Sequence, residues 1–197
     1  MDAAHFVYGA FLGMLWCVQR LFVKAPSGRQ RLNVLAALHA TSHDLFTVTN
    51  LTYITATTVC ELLQLLAGAH PGVPLTIVLD NARYQRCALV QTLAETLGIE
   101  LLYLPAYSPN LNLIERLWKF VKKQCLYSHY YPDSAAFQRA IQDCLDQVPT
   151  KHKAALDSLL TLRFQTFQAV PVVGEPPELG LAPAAKRAEP EVLSMAA

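Results

Sequence analysis

Two carboxylates in this chain have the residue type and the spacing needed to hold a metal ion together. Asp80 directly follows the apolar run Leu75–Leu79, which is typical of a buried strand. Glu115 follows with 34 residues between the two, in a segment with helical periodicity. Open α/β sheets place reactive groups at the carboxyl ends of their strands, and hard divalent cations prefer oxygen ligands. The pattern therefore predicts metal-dependent chemistry on phosphate.

The segment that contains Glu115, residues 110–125, predicts a helix with two distinct faces at 100° per residue. Its apolar face comprises Leu113, Ile114, Leu117, Trp118, Phe120, Val121 and Cys125. Its charged face comprises Glu115, Arg116, Lys119, Lys122 and Lys123. Glu115 should thus point away from the core, beside basic side chains one and two turns later.

Length and composition limit the possible architectures. With 197 residues, 53% of them apolar, the chain can bury one substantial core, and we expect a single domain over residues 1–165. Residues 170–197 are rich in Pro, Ala and Glu, which predicts a disordered tail. The net charge of only +1 means that attraction to nucleic acid must come from local clusters of basic residues.

Neither the cysteines nor the apolar amino-terminal stretch indicates export. Five scattered cysteines without a Cys-x-x-Cys pair predict neither a disulfide framework nor a zinc site. Residues 6–18 are apolar, but 13 residues are too few to cross a bilayer, and no basic region precedes them. We therefore predict a buried strand there, a cytoplasmic, nucleoid-associated protein and no membrane partner.

Strand patterns precede helical ones along the chain. We predict antiparallel strands at 4–8, 15–23, 32–40 and 45–48, the last two joined by a hairpin at 41–44. A helix from 55 to 67, the strand before Asp80, a helix at 84–97 and a strand at 99–104 follow. Helices at 110–125, 134–147 and 151–164 complete the prediction. This order is typical of an α/β sheet of mixed direction.

Two blocks resemble the second and third catalytic blocks of mariner-type DDE transposases, in particular their bacterial insertion-sequence branch. They are residues 78–82 (VLDNA) and residues 104–119 (LPAYSPNLNLIERLWK). The similarity extends from Asp2 to about Tyr131. It implies a ribonuclease H-like fold, with a mixed five-stranded sheet flanked by helices, and a DNA strand cleavage and transfer activity.

The resemblance also implies the identity of the site residues. Asp2 is the only residue that can match the first acid of the family, so the implied triad is Asp2, Asp80 and Glu115. These carboxylates would hold two ions, Mg²⁺ or Mn²⁺, which serve the attacking and leaving oxygens of a phosphodiester. Water would cut the transposon end, and the freed 3′ hydroxyl would then attack target DNA.

Nucleic-acid contacts are expected beside this triad. A run of basic residues on a helix is usually a solvated face, but phosphate chemistry nearby favours contact with the DNA backbone. We predict DNA-binding roles for Asn81, Asn112, Arg116, Lys119, Lys122 and Lys123. The basic residues Lys24, Arg29 and Arg31 form a second candidate cluster. The partners predicted are transposon ends and target DNA, with a second copy or a full-length transposase.

The chain also departs from the family pattern. Only Met1 precedes Asp2, whereas family members carry an amino-terminal helix-turn-helix region that recognises the transposon end. We therefore expect an N-terminally truncated transposase domain without sequence-specific recognition. A catalytically inactive remnant that only binds DNA or a full-length partner is the alternative.

Purely structural roles are the competing interpretations for individual residues. Asp80 suits a turn at a strand end, Asn81 suits a helix cap, and Glu115 suits an ion pair with Lys119. Trp16 and Trp118 are predicted in the core rather than as stacking platforms. The chain lacks a Gly-rich phosphate loop, so we predict no nucleotide cofactor and disfavour a nucleotide-binding domain.

Overall fold

The computed structural model describes residues 1–9, 16–19, 22, 30–105 and 108–164. These residues lie within one compact unit, Met1–Gln165. The tail predicted at 170–197 and the basic residues Lys24 and Arg29 lie outside the described residues. In the part of the chain that is described, no helix is both long and apolar enough to cross a bilayer.

The described residues form five strands and five α-helices, with the strands concentrated in the first half of the chain and the helices in the second, as predicted. The strands are β1 (Asp2–Val7), β2 (Arg31–Leu38), β3 (Leu45–Asn50), β4 (Leu75–Leu79) and β5 (Ile99–Tyr103). The helices are α1 (Ala56–Ala69), α2 (Ala88–Thr96), α3 (Ile114–Cys125), α4 (Ser134–Asp146) and α5 (Lys153–Leu159), and a 3₁₀ turn, Pro109–Leu111, precedes α3. The mixed α/β class expected from the sequence is confirmed.

The five strands form two ladders rather than one continuous sheet. β1, β2 and β3 are antiparallel, with Asp2 opposite Ala36, and β4 and β5 are parallel. The ammonium group of Met1 donates a hydrogen bond to the carbonyl of Val78 (2.7 Å), which links the start of β1 to β4. Because β1 pairs with β2 along its whole length but meets β4 only at its start, the predicted five-stranded sheet is divided at this place.

Two apolar clusters cover the two faces of the strands. Val34 and Ala36 of β2 belong to the cluster formed with α3, α4 and α5, whereas Leu35 and Ala37 belong to the cluster formed with α1 and α2. Successive side chains of a strand point to opposite faces, so a strand buried on both faces must be apolar throughout. β2 therefore lies in the middle of a three-layer arrangement.

Some predicted boundaries are wrong, for local reasons. Residues 16–19 are not in a strand, and Trp16 is fully exposed rather than in the core. The helix predicted at 84–97 begins only at Ala88, because residues 82–86 form turns in which Gln85 bonds back to Ala82. The last helix ends at Leu159 instead of continuing to 164. The carbonyls of Thr161 and Arg163 accept hydrogen bonds from the guanidinium of Arg116 on α3 instead of from the backbone of a helix.

Candidate active site

Three elements bring the predicted carboxylates to one region of the fold. Asp2 is the first residue of β1, Asp80 immediately follows β4, and Glu115 is in the first turn of α3. β1 starts beside β4 at the Met1–Val78 hydrogen bond, and α3 packs on β1. The negative charges of Glu115 and Asp80 both raise the pKa of the Asp2 carboxyl group, so all three side chains are near each other.

The carboxyl group of Asp2 is buried and held from the side of α3. Its side chain is 8% exposed, and Oδ2 accepts a hydrogen bond from Nε1 of Trp118 at 2.9 Å. The pKa of Asp2 is raised to about 6, mainly by burial and further by the carboxylates of Glu115 and Asp80, against the opposing effect of hydrogen bonds from Ala3 and Trp118. The folded protein therefore holds a proton on Asp2 at pH values at which an ordinary aspartate has already lost it.

Asp80 carries an acceptor with nothing to accept from in the described residues. Its Oδ1 atom is buried and has no hydrogen-bond partner there. The neighbouring Tyr84 has its pKa raised to about 12, mainly by burial and further by the carboxylates of Asp80 and Asp2. Buried acceptors are normally satisfied, so this oxygen is the strongest sign that the region binds something that is positively charged or donates a hydrogen bond.

Glu115 does not form the surface ion pair with Lys119 that would give it a purely structural role in the described residues. Among the described residues, the ion pairs involve His43, Lys153 and Asp157, and none joins Glu115 to Lys119. Glu115 is half-buried in the first turn of α3.

The three carboxylates are of the type that binds a hard divalent cation, but the distances between them are too long for one ion to contact all three. The carboxylates of Asp2, Asp80 and Glu115 are ligands of the kind that Mg²⁺ and Mn²⁺ prefer, and Oδ1 of Asp80 has no partner among the described residues. Within residues 1–9, 16–19, 22, 30–105 and 108–164, however, no group of three His, Cys, Asp or Glu side chains lies close enough to hold a metal ion. A cation would have to draw the carboxylates together as it binds.

The two asparagines predicted to contact DNA differ in accessibility. Asn112 is only 6% exposed, and its amide lies 3.5 Å from the carbonyl of Met1, to which it donates. It therefore helps to position the residue before Asp2. Asn81 is exposed, and its Oδ1 atom accepts a hydrogen bond from Arg86 at 2.8 Å.

The basic residues of α3 separate into two groups. Arg116 donates from Nη1 to the carbonyls of Leu159 (3.2 Å) and Thr161 (2.6 Å) and from Nη2 to that of Arg163 (2.6 Å). Its guanidinium is thus engaged within the fold. Lys119 and Lys123 are exposed, Lys122 is half-buried, and none of the three is ion-paired with an acid in the described residues.

Trp118 is the site residue that sequence analysis missed. Its ring is in the core as predicted, 2% exposed and in edge-to-face contact with Phe6. A buried indole N–H group needs a hydrogen-bond acceptor. The apolar pattern of α3 could not show that this acceptor is Asp2, because the two residues are 116 positions apart. The available signal was the position of Trp118 one turn after Glu115 on the same helix.

Comparison with known sequences identifies one protein family. The sequence profile of the DDE superfamily endonucleases matches residues 19–138, more than half of the 197 residues. Asp80 and Glu115 lie inside the matched range, whereas Asp2 lies before it. A search of curated protein sequences found no match.

Solved transposase structures share the fold. The Mos1 strand transfer complex is 13% identical with a TM-score of 0.54 over 81% of this chain and 54% of that chain. The Mos1 transposase paired-end complex with the left transposon end is 14% identical with a TM-score of 0.53 over 80% and 53%. The Mos1 mariner paired-end complex with Mn is 13% identical with a TM-score of 0.50 over 84% and 56%. This chain spans about half the length of these relatives, and the fold they share with it is ribonuclease H-like.

Proposed function

Because the chain belongs to the DDE superfamily endonucleases, we propose that it is a transposase-type catalytic domain that cleaves and transfers DNA strands in insertion-sequence transposition. The observation that carries the proposal is the buried Oδ1 of Asp80, which has no hydrogen-bond partner among the described residues, together with the buried carboxyl group of Asp2. Both features favour binding of a cation where the matched family has its chemistry.

Asp2, Asp80 and Glu115 are the proposed ligands of two divalent ions, Mg²⁺ or Mn²⁺. Such ions neutralise charge on the phosphate and lower the pKa of water. Carboxylates bind metal in their ionised form, so binding must remove the proton that Asp2 retains up to about pH 6. Trp118 keeps one oxygen of Asp2 in place, and Asn112 keeps Met1 in place before it.

DNA is the proposed substrate, and the exposed lysines of α3 are its proposed contacts. Lys119 and Lys123 are exposed, Lys122 is half-buried, and all three share a helix with Glu115. Ammonium groups neutralise phosphates without regard to base sequence. A second copy of the chain or a full-length transposase is the proposed protein partner on the DNA.

A second candidate function is a catalytically inactive domain that binds DNA or a full-length partner. The observation that favours it is the open spacing of the carboxylates in the described residues. The two candidates differ in whether a divalent cation can draw Asp2, Asp80 and Glu115 together.

Nicking of supercoiled plasmid in Mn²⁺ distinguishes the two candidates. The wild-type chain should nick, and Asp80→Asn should reduce the rate by roughly 100-fold or more, the scale expected when reacting groups are misplaced. Asp146→Asn is the matched control, since Asp146 is exposed on α4 and its carboxylate accepts a hydrogen bond from Gln142 at 2.9 Å. Plasmid binding without nicking in all three proteins would favour the inactive domain, and nicking that survives Asp80→Asn would exclude the carboxylate site.

A further inference from the structure

Two cysteines that are distant in sequence, Cys125 and Cys144, meet between α3 and α4. Cys125 is the last residue of α3, and Cys144 lies in the last turn of α4. The two residues are only 4% and 6% exposed and belong to the same apolar cluster. All five cysteines of the chain are free thiols, and their scattered positions in the sequence gave no indication of this pair.

The geometry of α4 places the two sulfur atoms close together. Sγ of Cys125 lies 3.5 Å from the carbonyl oxygen of Ala140, to which it donates a hydrogen bond. In an α-helix that oxygen also accepts from the backbone N–H four residues later, which is that of Cys144. Because helical side chains lean towards the amino end of their helix, the side chain of Cys144 covers the same turn. The sulfur of Cys125 therefore packs where the side chain of Cys144 lies.

The two thiols form a hydrogen bond with each other, and they hold their protons unequally. The pKa of Cys125 is raised, mainly by its hydrogen bond with Cys144 and further by burial. The pKa of Cys144 is lowered, mainly by the same hydrogen bond and also by the charge of Lys151, against the opposing effect of burial. Cys144 is thus the thiol that ionises first, and the thiolate is the nucleophilic form of cysteine.

The surroundings of the pair limit the size of a reagent that can reach it. The hydroxyl of Tyr131 donates a hydrogen bond to the carbonyl of Cys125 at 2.6 Å. The pKa of Tyr131 is raised, mainly by burial and further by Cys125 and Cys144, so this side chain lies beside the thiols. A site this enclosed admits an oxidant little larger than water, such as hydrogen peroxide, rather than a peptide disulfide.

We propose that Cys125 and Cys144 are a modification site, at which hydrogen peroxide converts the two thiols into one reversible disulfide that joins α3 to α4. The thiolate of Cys144 attacks one oxygen of the peroxide, the O–O bond breaks, and hydroxide leaves as a sulfenic acid forms. The sulfur of Cys125 then attacks the sulfur of Cys144 and displaces a second hydroxide. The two hydroxides take up the two thiol protons. Two thiols and one peroxide thus give one disulfide and two waters.

The disulfide would fasten the helix that carries part of the candidate active site. It closes the loop from residue 125 to residue 144, and such a cross-link stabilises a fold chiefly by restricting the unfolded chain. Glu115 and Trp118, which holds Asp2, lie on the same helix as Cys125. The modification does not depend on the proposed catalytic function, because an inactive domain would form the same disulfide. The two proposals therefore fail independently.

The test uses the unmodified full chain, which is reduced, freed of reductant, exposed to hydrogen peroxide and then treated with iodoacetamide to block remaining thiols. Trypsin cleaves after Arg139 and so separates the two cysteines into peptides 124–139 and 140–151. Mass spectrometry should show these peptides joined, at a mass two hydrogens below their sum. The oxidised chain should melt roughly 5–10 °C above the reduced chain. Dithiothreitol should reverse both changes.

Two variants show whether the effect belongs to this pair. Cys144→Ser should abolish the joined peptides and the rise in melting temperature. Cys60→Ser is the matched control and should leave both unchanged, because Cys60 is half-buried near Cys87 in the other apolar cluster. The peptide map of the wild-type chain decides the question even if Cys144→Ser does not fold.

Three results would overturn the proposal. Oxidation confined to the exposed Cys17, with Cys125 and Cys144 both alkylated, would show that the pair does not react. Sulfinic acid on Cys144 without joined peptides would show that the second sulfur cannot reach the first. Joined peptides that form equally fast in urea-unfolded protein would show that the fold does not bring the two thiols together.

Discussion

Nε1 of Trp118 donates a hydrogen bond to Oδ2 of Asp2 at 2.9 Å and thereby joins α3 to the first residue of β1. Glu115 lies one turn before Trp118 on the same helix. A single hydrogen bond therefore fixes the positions of two of the three candidate metal ligands relative to each other. The same bond opposes the rise in the pKa of Asp2 that burial causes.

Trp118→Phe removes this donor and keeps an aromatic ring against Phe6. We expect the free energy of unfolding in urea to fall by about 1–2 kcal/mol, the usual worth of a buried hydrogen bond plus some lost packing. In an Asp2→Ala background the same substitution should cost about 1 kcal/mol less, because the acceptor is already gone. Equal costs in the two backgrounds would show that the hydrogen bond contributes nothing to stability.

The raised pKa of Asp2 makes stability depend on pH in a definite direction. Folded Asp2 retains its proton to about pH 6, whereas the ordinary pKa of an aspartate is 3.8, so between these values the folded state binds more protons than the unfolded state. Stability in EDTA should therefore fall as pH rises from about 4 to about 6. Asp2→Asn should be as stable as wild type at pH 4 and more stable at pH 7, by on the order of 3 kcal/mol at 1.36 kcal/mol per pKa unit.

The amino group of Met1 provides the internal check on that measurement. Burial lowers its pKa from 8.0 to about 6, so its own contribution to stability rises with pH between about 6 and 8, in the opposite direction. Because the group is present in both proteins, the comparison of wild type with Asp2→Asn largely removes it. A wild-type protein that is the more stable of the two at pH 7 in EDTA would contradict the placement of Asp2.

Mn²⁺ should reverse the destabilisation caused by crowded carboxylates. A ligand at 100 times its dissociation constant stabilises the folded state by about 2.7 kcal/mol. We expect the melting temperature of the wild-type chain to rise with Mn²⁺ at pH 7 and that of Asp80→Asn to change much less. The rise should shrink at pH 5, where Asp2 is protonated. A rise of the same size in both proteins would place the bound cation elsewhere.

Arg116→Ala should release the segment that follows α5. Its three hydrogen bonds to the carbonyls of Leu159, Thr161 and Arg163 would be lost, together with its position 5.5 Å from the ring centre of Phe164. We expect a loss of about 1–3 kcal/mol, typical of charged donors, and faster tryptic cleavage after Arg163. Lys119→Ala, three residues later on the same helix and exposed, is the control and should change stability by less than about 0.5 kcal/mol.

Lys119 and Lys123 should matter for DNA rather than for the fold. Replacing both with Ala should weaken plasmid binding uniformly across sequences and reduce the salt slope, log K against log salt concentration, by roughly 2. Lys153→Ala on α5, whose ammonium already pairs with Asp157 at 3.6 Å, is the control. An unchanged slope in the double variant would place the DNA contacts on another surface.

Local periodicity was sufficient to predict most of the elements, and resemblance to DDE transposases identified the two blocks that carry Asp80 and Glu115. The strand Leu75–Leu79 and the helix ending at Cys125 agree with their patterns because apolar spacing reports which face of an element is buried. The strand at 15–23 was predicted wrongly in its described part, because an apolar run does not reveal whether a partner strand exists. Apolar periodicity also cannot predict hydrogen bonds between side chains that are distant in sequence.

The sequence by itself determined the family, the order of strands and helices, and the candidate acids. Only the tertiary structure decided that Asp2 is buried against Trp118, that Arg116 binds the end of the fold and that Asn112 faces Met1. It also decided that the strands divide into two ladders. The physical reason is that hydrophobic spacing acts over a few residues, whereas the partner of a buried polar group is set by which distant segments the core brings together.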